Sequence, residues 1–144
     1  MSELAALQTT LAAEHAALYV LGVLGARTSQ SAEPELFATI TDTYAAHRGR
    51  RDHLARTVTD LGEQPVAAEV AYDVRGDLGT PAAVARRALR LERDCATTYA
   101  FLVASTSDQL RAWAMRALQM TAVRELAFRG TPEMFPGSDE HADR

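Results

Sequence analysis

Four ionisable residues, Glu14, His47, Glu92 and Arg124, each stand near the middle of a helical apolar pattern. The apolar residues around each one recur at alternating steps of three and four, the spacing of a helix seam buried in a bundle. Carboxylates and an imidazole can ligate a metal ion, while an arginine can only donate hydrogen bonds. Since a lone buried charge is costly, four such seams indicate that the four side chains meet in one polar cluster.

The expected chemistry of this cluster is mutual neutralisation. Arg124 cannot lose its proton or bind a metal, so we expect it to pair with the carboxylates of Glu14 and Glu92, with His47 as a second possible cation. Such a cluster could be neutral without metal. Three further residues on or beside the seams are expected to supply hydrogen bonds around it: Tyr44, Tyr99 and Thr121.

Capping residues and helix breakers divide the chain into four helices that would position these groups. The predicted helices run from Ser2 to about Arg27, from Pro34 to Leu61, from Pro81 to about Ala104, and from about Asp108 to Arg129. On helix 2 the seam is assigned to Tyr44, His47, Arg51 and Leu54, and on helix 4 to Thr121, Arg124 and Phe128. Residues 1–130 are predicted to form the bundle, and residues 131–144 an acidic, loosely ordered tail.

Connection lengths predict the topology. The first and third connections are short, so helices 1 and 2 are antiparallel, as are helices 3 and 4. The second connection, Glu63 to Gly79, is long enough to travel the full length of the bundle. Helices 2 and 3 should therefore run parallel. The fold class predicted from composition and pattern is an all-α four-helix bundle with a long crossover between helices 2 and 3.

This organisation resembles the ferritin-like superfamily, and more closely an actinobacterial ferritin-like family of unknown function. The resemblance rests on residues 11–19, 44–48 and 91–99 and on the connection 64–72. It implies a ferritin-like bundle and supplies no established activity.

Di-iron proteins of this superfamily place a glutamate on each of two helices and a Glu-x-x-His pair on each of the other two. By comparison, Glu14 and Glu92 match the single glutamates and His47 matches one histidine. Tyr44 replaces the glutamate that would accompany His47, and Thr121 and Arg124 replace the pair on helix 4. Three of six ligands remain.

The resulting expectation is a non-catalytic bundle in which a buried Glu/His/Arg network has replaced a degenerate di-iron site, with no metal and no other cofactor. The alternative is a protein that binds one or two metal ions, or an oxidoreductase, using Glu14, His47 and Glu92 with iron, manganese or zinc. A small-molecule pocket at the same place is a third interpretation.

Composition bounds the partners. The net charge of −4 argues against a nucleic-acid binder. No apolar run reaches about 18 residues, so no membrane span is expected. The single cysteine, Cys95, excludes an internal disulfide, and a cytoplasmic location is expected.

Apolar residues beyond the seam of helix 1, including Val20 and Val23, favour a homodimer. Arginines crowd helices 2 and 3 and are interpreted as solvated faces, with a phosphate or RNA surface as the alternative: Arg48, Arg50, Arg51 and Arg56, and Arg86, Arg87, Arg90 and Arg93.

Overall fold

The computed structural model describes residues 2–130 and 132–138. These residues form four α-helices and no strand: α1 (Glu3–Ala26), α2 (Pro34–Asp60), α3 (Pro81–Ser105) and α4 (Asp108–Ala127). The prediction of an all-α four-helix bundle is confirmed. The helix bounds agree with the predicted ones to within about two residues, the ordinary spread at helix ends.

The helices begin and end where local chemistry directs. The Ser2 side chain accepts a hydrogen bond from the amide of Ala5, and the Thr80 side chain accepts one from that of Ala83. Each bond satisfies an amide that a helix start leaves unpaired. Pro34 and Pro81 each occupy a first helical turn, where a missing N–H costs nothing. Beyond α2, Gly62 adopts a positive φ of 83°, which turns the chain away from the helix.

Two apolar clusters establish the direction of each helix. One joins the C-terminal half of α1 and the end of α4 to the N-terminal halves of α2 and α3. The other joins the N-terminal halves of α1 and α4 to the C-terminal halves of α2 and α3. Therefore α1 and α4 run one way and α2 and α3 the other, which confirms the crossover.

The crossover, residues 61–80, lies along α1. Gln8 donates to the carbonyl of Gln64 at 2.7 Å and accepts from the amide of Val66 at 2.8 Å. Two helical turns further along α1, the His15 ring contacts the carbonyl of Val66 at 3.0 Å. One turn beyond that, the ring of Tyr19 lies 5.5 Å from that of Tyr72. The connection thus follows α1 from its N-terminal half towards its C-terminus, where α3 begins.

The packing of α1 changes two expectations. Val20 is only 5% exposed and Val23 is half-buried, so the apolar surface that favoured a homodimer through α1 is largely covered. By length and a mean hydropathy of 1.2, α1 could cross a membrane, whereas the lack of an apolar run of about 18 residues predicted no such helix. In this structure α1 is a core helix, with Glu14 buried at its middle.

The segment after α4 returns to the bundle. Gly137 has a positive φ of 83°, and a Cβ there would lie 2.5 Å from the carbonyl oxygen of Ala96. The close approach shows that residues 132–138 contact α3. The predicted loosely ordered tail covers residues 131–144, of which 131 and 139–144 lie outside the described residues.

Candidate functional site

His47 lies between two carboxylates in the middle of the bundle. Its Nδ1 is 2.6 Å from Oε2 of Glu14 on α1, and its Nε2 is 2.8 Å from Oε1 of Glu92 on α3. All three side chains are at most 1% exposed. One imidazole on α2 therefore ties α1 to α3 through short, charge-assisted contacts. Glu14, His47 and Glu92 are called the triad below.

Tyr99 completes the hydrogen bonding of the triad on one side. Its hydroxyl donates to Oε1 of Glu14 at 2.6 Å, and the side chain is 1% exposed. Burial, followed by the charge of Glu14, raises the pKa of Tyr99 well above its usual value, so the hydroxyl stays protonated. Both oxygens of Glu14 are thereby occupied, one by His47 and one by Tyr99.

The triad favours the doubly protonated form of His47. Burial by itself lowers the pKa of His47, but the hydrogen bonds and charges of Glu14 and Glu92 outweigh it, and the pKa is raised above 6.5. An imidazolium donates from both nitrogens, and each nitrogen here faces a carboxylate oxygen.

The arginine that enters the core beside the triad is Arg50. Its two terminal nitrogens donate to Oγ1 of Thr121 at 2.8 Å and to the carbonyl of Ala117 at 2.7 Å, both on α4. Its guanidinium carbon lies 4.8 Å from the centre of the Tyr99 ring, within range of a cation–π interaction. Arg50 is 8% exposed. It supplies a fixed positive charge close to the triad and joins α2 to α4.

The other residues assigned to the cluster lie at its margin. Arg124 is half-buried and makes no ion pair within 4.0 Å with Glu14 or Glu92 among the described residues; burial and then the charge of Arg50 lower its pKa. Thr121 is fully buried but bonds to Arg50 and not to the triad. Tyr44 is half-buried and packs against the apolar cluster at the C-terminal end of α1.

Sequence reasoning missed two buried charged residues, Arg50 and Glu125. Glu125 on α4 is 1% exposed, and its Oε2 lies 3.7 Å from Nε of Arg93. Burial, then the charge of Glu133, raises the pKa of Glu125 to about 7. The available signal was spacing: Arg50 lies three residues after His47, and Glu125 lies four residues after Thr121, so both fit a seam as well as their neighbours Arg51 and Arg124 do.

Three buried atoms near the triad lack a hydrogen-bond partner. They are Oε2 of Glu92, Oε1 of Glu125 and Nη1 of Arg124. Buried polar atoms are nearly always satisfied by protein or by an ordered water, so these three mark the places where the network is incomplete.

The geometry of the triad does not fit a single metal ion held by all three side chains. His47 uses both ring nitrogens on carboxylates, so the two bonded oxygens stand roughly 7 Å apart on opposite sides of the ring. Two ligands of one zinc or iron ion lie within about 4.4 Å of each other, twice the metal–ligand distance. Across residues 2–130 and 132–138, no group of three or more His, Cys, Asp and Glu side chains could hold a metal ion.

Fold and site together define a four-helix bundle with a buried carboxylate–imidazole–carboxylate network. The chain belongs to the family described as Domain of unknown function (DUF4439), whose sequence model matches residues 6–140. It is similar to the crystal structure of a conserved hypothetical protein, rv2844, from Mycobacterium tuberculosis, with 29% identity and a TM-score of 0.80 over 88% of this chain and 87% of that chain. A search of curated proteins gives no match.

Proposed function

We propose that this protein is a non-catalytic bundle in which the triad and Arg50 form a structural ion network at the place where a di-iron protein holds metal. The observation that carries the proposal is that both ring nitrogens of His47 contact carboxylate oxygens, at 2.6 and 2.8 Å. A catalytic group must reach a substrate, whereas the triad side chains are at most 1% exposed and bond to one another and to Tyr99. The protein then acts by presenting its surface to partners.

Descent from ferritin-like proteins is part of the proposal. It is supported by the crossover between α2 and α3 and by Glu14, His47 and Glu92 standing at positions that match three of six ligands. The similarity to a Mycobacterium protein is in keeping with an actinobacterial family. A cytoplasmic location also belongs to the proposal.

One observation favours the alternative of a metal site on the triad. Oε2 of Glu92 is buried and has no hydrogen-bond partner, so one carboxylate oxygen is free to accept a cation. Metal binding would require His47 to give up a carboxylate, because a ligating nitrogen must be deprotonated.

Metal analysis separates the two. We expect protein purified without chelators to hold less than about 0.1 metal ion per chain, and added iron(II), manganese or zinc to leave its melting temperature unchanged. Glu92→Gln is the matched control, because it removes a ligand charge but keeps the shape. About one metal per chain, together with metal stabilisation of wild type that Glu92→Gln abolishes, would overturn the proposal.

A homodimer is the second part of the proposal, and it is assigned to the outer face of α4. Four apolar side chains there are 46–57% exposed: Met115, Met120, Val123 and Leu126. Between residues 112 and 127 of α4, Arg116 is the one charged residue that is exposed. Arg116, four residues before Met120 and seven before Val123, shares this face, which is otherwise apolar. An exposed apolar helix face with a single arginine is typical of an interface.

The occupant that fits this face is a second copy of the chain. Residues three, four or seven apart share one face of a helix, so an antiparallel pair of α4 helices centred on Gln119 places Met115 opposite the partner's Val123. The same pairing sets the small Ala112 opposite the partner's Leu126. The face is thus complementary to itself about a two-fold axis, as a closed dimer requires.

Sedimentation velocity at micromolar concentration tests the dimer. We expect wild type to sediment as a dimer and Val123→Glu as a monomer, because the substitution brings two carboxylates into the apolar contact. Ala45→Glu, at an exposed position on α2, is the control and should remain dimeric. If wild type is a monomer, or if Val123→Glu remains a dimer, the proposed dimer through the outer face of α4 is wrong.

A further inference from the structure

A small pocket lined by arginines lies between the end of the crossover and the first turns of α3. Its volume is about 150 Å³. Four arginines and one carboxylate line it: Arg75, Arg86, Arg87, Arg90 and Asp77. The lining therefore carries an excess of positive charge in a chain whose net charge is −4. Such a local reversal of sign focuses anions towards one place on the surface.

The crossover builds one wall of this pocket. Gly76 has a φ of 106°, a conformation open to glycine but strained for other residues. Immediately after it, Oδ1 of Asp77 accepts the amide of Gly79 at 2.8 Å. The carboxylate of Asp77 is thereby committed to holding the turn, and this leaves the guanidinium groups to define the chemistry of the pocket.

Within the described part of the chain, the three arginines of α3 that line the pocket lack an acidic partner. No ion pair within 4.0 Å involves Arg86, Arg87 or Arg90 among the described residues, and Nη1 of Arg87 is buried without a hydrogen-bond acceptor. The Arg75–Asp73 pair, at 3.0 Å, joins side chains that are 90% and 74% exposed, and such a pair is weak and exchangeable. Arg86 and Arg90 are exposed at the pocket, so their guanidinium groups are available to an oxyanion.

We infer that this pocket binds the phosphate or diphosphate group of an anionic small molecule. Guanidinium groups match the oxygens of such groups in bidentate geometry. Pockets that enclose a whole drug-sized ligand usually span about 300–1,000 Å³, so a pocket of 150 Å³ holds the charged group and leaves the rest of the ligand outside. On α3 the pocket arginines precede Glu92 by two to six residues and lie on other faces of the helix, so the inference does not depend on the proposed function of the core.

Calorimetric titration with inorganic diphosphate tests the inference, with inorganic phosphate and sulfate as further probes, all at a constant ionic strength of about 0.1 M. We expect saturable binding of diphosphate with one site per chain. The double variant Arg87→Gln/Arg90→Gln should weaken binding by about tenfold or more, because two charged donors are lost. Arg48→Gln/Arg56→Gln, on the exposed side of α2, removes the same charge elsewhere and should change the affinity by less than about twofold.

Asp77→Asn provides a test that misfolding cannot imitate. The amide oxygen of asparagine can still accept from Gly79, while the negative charge beside the bound anion disappears. Binding of diphosphate should tighten about threefold or more. The inference is wrong if diphosphate does not bind, if both arginine pairs affect it equally, or if Asp77→Asn weakens it. Binding of a single-stranded RNA that depends on Arg87 and Arg90, without diphosphate binding, would assign the surface to nucleic acid instead.

Discussion

At the scale of single residues, the stability of the core depends on the protonation of His47, whose two ring nitrogens each face a carboxylate. Glu14 and Glu92 each hold one ring nitrogen, and the carboxylates outweigh the cost of burying the charge, so the pKa of His47 is raised. A raised histidine pKa means that the folded state takes up the proton more readily than the unfolded chain does. The stability from His47 is therefore complete below about pH 6.5 and is lost as the pH rises through the folded pKa.

Glu125 gives a second pH dependence, with the same sign. Its pKa is raised from 4.5 to about 7, so folding favours its protonated form, and stability falls as the pH rises from 4.5 through 7. We predict that Glu125→Gln stabilises the protein at pH 8 by about 1–2 kcal/mol and has little effect at pH 4.5.

Urea unfolding of wild type and Glu125→Gln at both pH values measures the effect. Glu35→Gln, at an exposed position in the first turn of α2, is the control and should leave the pH dependence unchanged. Equal stabilisation by Glu125→Gln at pH 4.5 and pH 8 would show that Glu125 does not titrate as described.

At the scale of helices, Arg50 is the main polar connection between α2 and α4. It bonds to both a side chain and a carbonyl of α4, and its guanidinium carbon lies 4.8 Å from the ring of Tyr99, whose hydroxyl donates to Glu14. Removing one member of a buried ion network typically costs about 3–5 kcal/mol. We predict a loss of that size for Arg50→Met, measured as the free energy of unfolding.

Two neighbours are controls for Arg50→Met. Arg51→Met removes a partly exposed arginine whose partner is Asp52, and should cost less than about 0.5 kcal/mol. Arg124→Met removes a half-buried arginine whose Nη1 has no hydrogen-bond partner among the described residues, and should cost less than Arg50→Met. A larger loss at Arg124 than at Arg50 would contradict the assignment of Arg50 as the core cation.

The comparison of these arginines shows what the sequence can and cannot determine. Helix bounds and the crossover follow from caps, breakers and connection length, and these were predictable. A seam that alternates steps of three and four leaves a choice between adjacent residues, about 100° apart on the helix. Apolar content usually decides that choice, but Arg50 and Arg51 are identical, and Arg124 and Glu125 are both charged. The choice therefore depends on which side chain finds partners on the facing helix, which one sequence does not reveal.

At the scale of the whole molecule, the ion network lies where the two apolar clusters meet. On α1, Glu14 stands between Leu11 of one cluster and Ala17 of the other, and on α2 His47 stands between Ile40 and Leu54. The crossover covers the outside of α1 through Gln8, His15 and Tyr19. In the part of the chain that the structure describes, the outer face of α4 is exposed, which directs the proposed dimer to that helix and away from α1.

The protonation of His47 tests the central claim most directly. We predict that a long-range ¹H–¹⁵N spectrum of the imidazole at pH 6, below the ordinary histidine pKa of about 6.5, shows both ring nitrogens protonated, and that added zinc, manganese or iron(II) leaves these resonances unchanged. His53→Gln should not alter the assigned pair, since His53 lies outside the triad. One unprotonated nitrogen that shifts or broadens when metal is added would show instead that His47 is a metal ligand and that the triad is not a self-contained ion network.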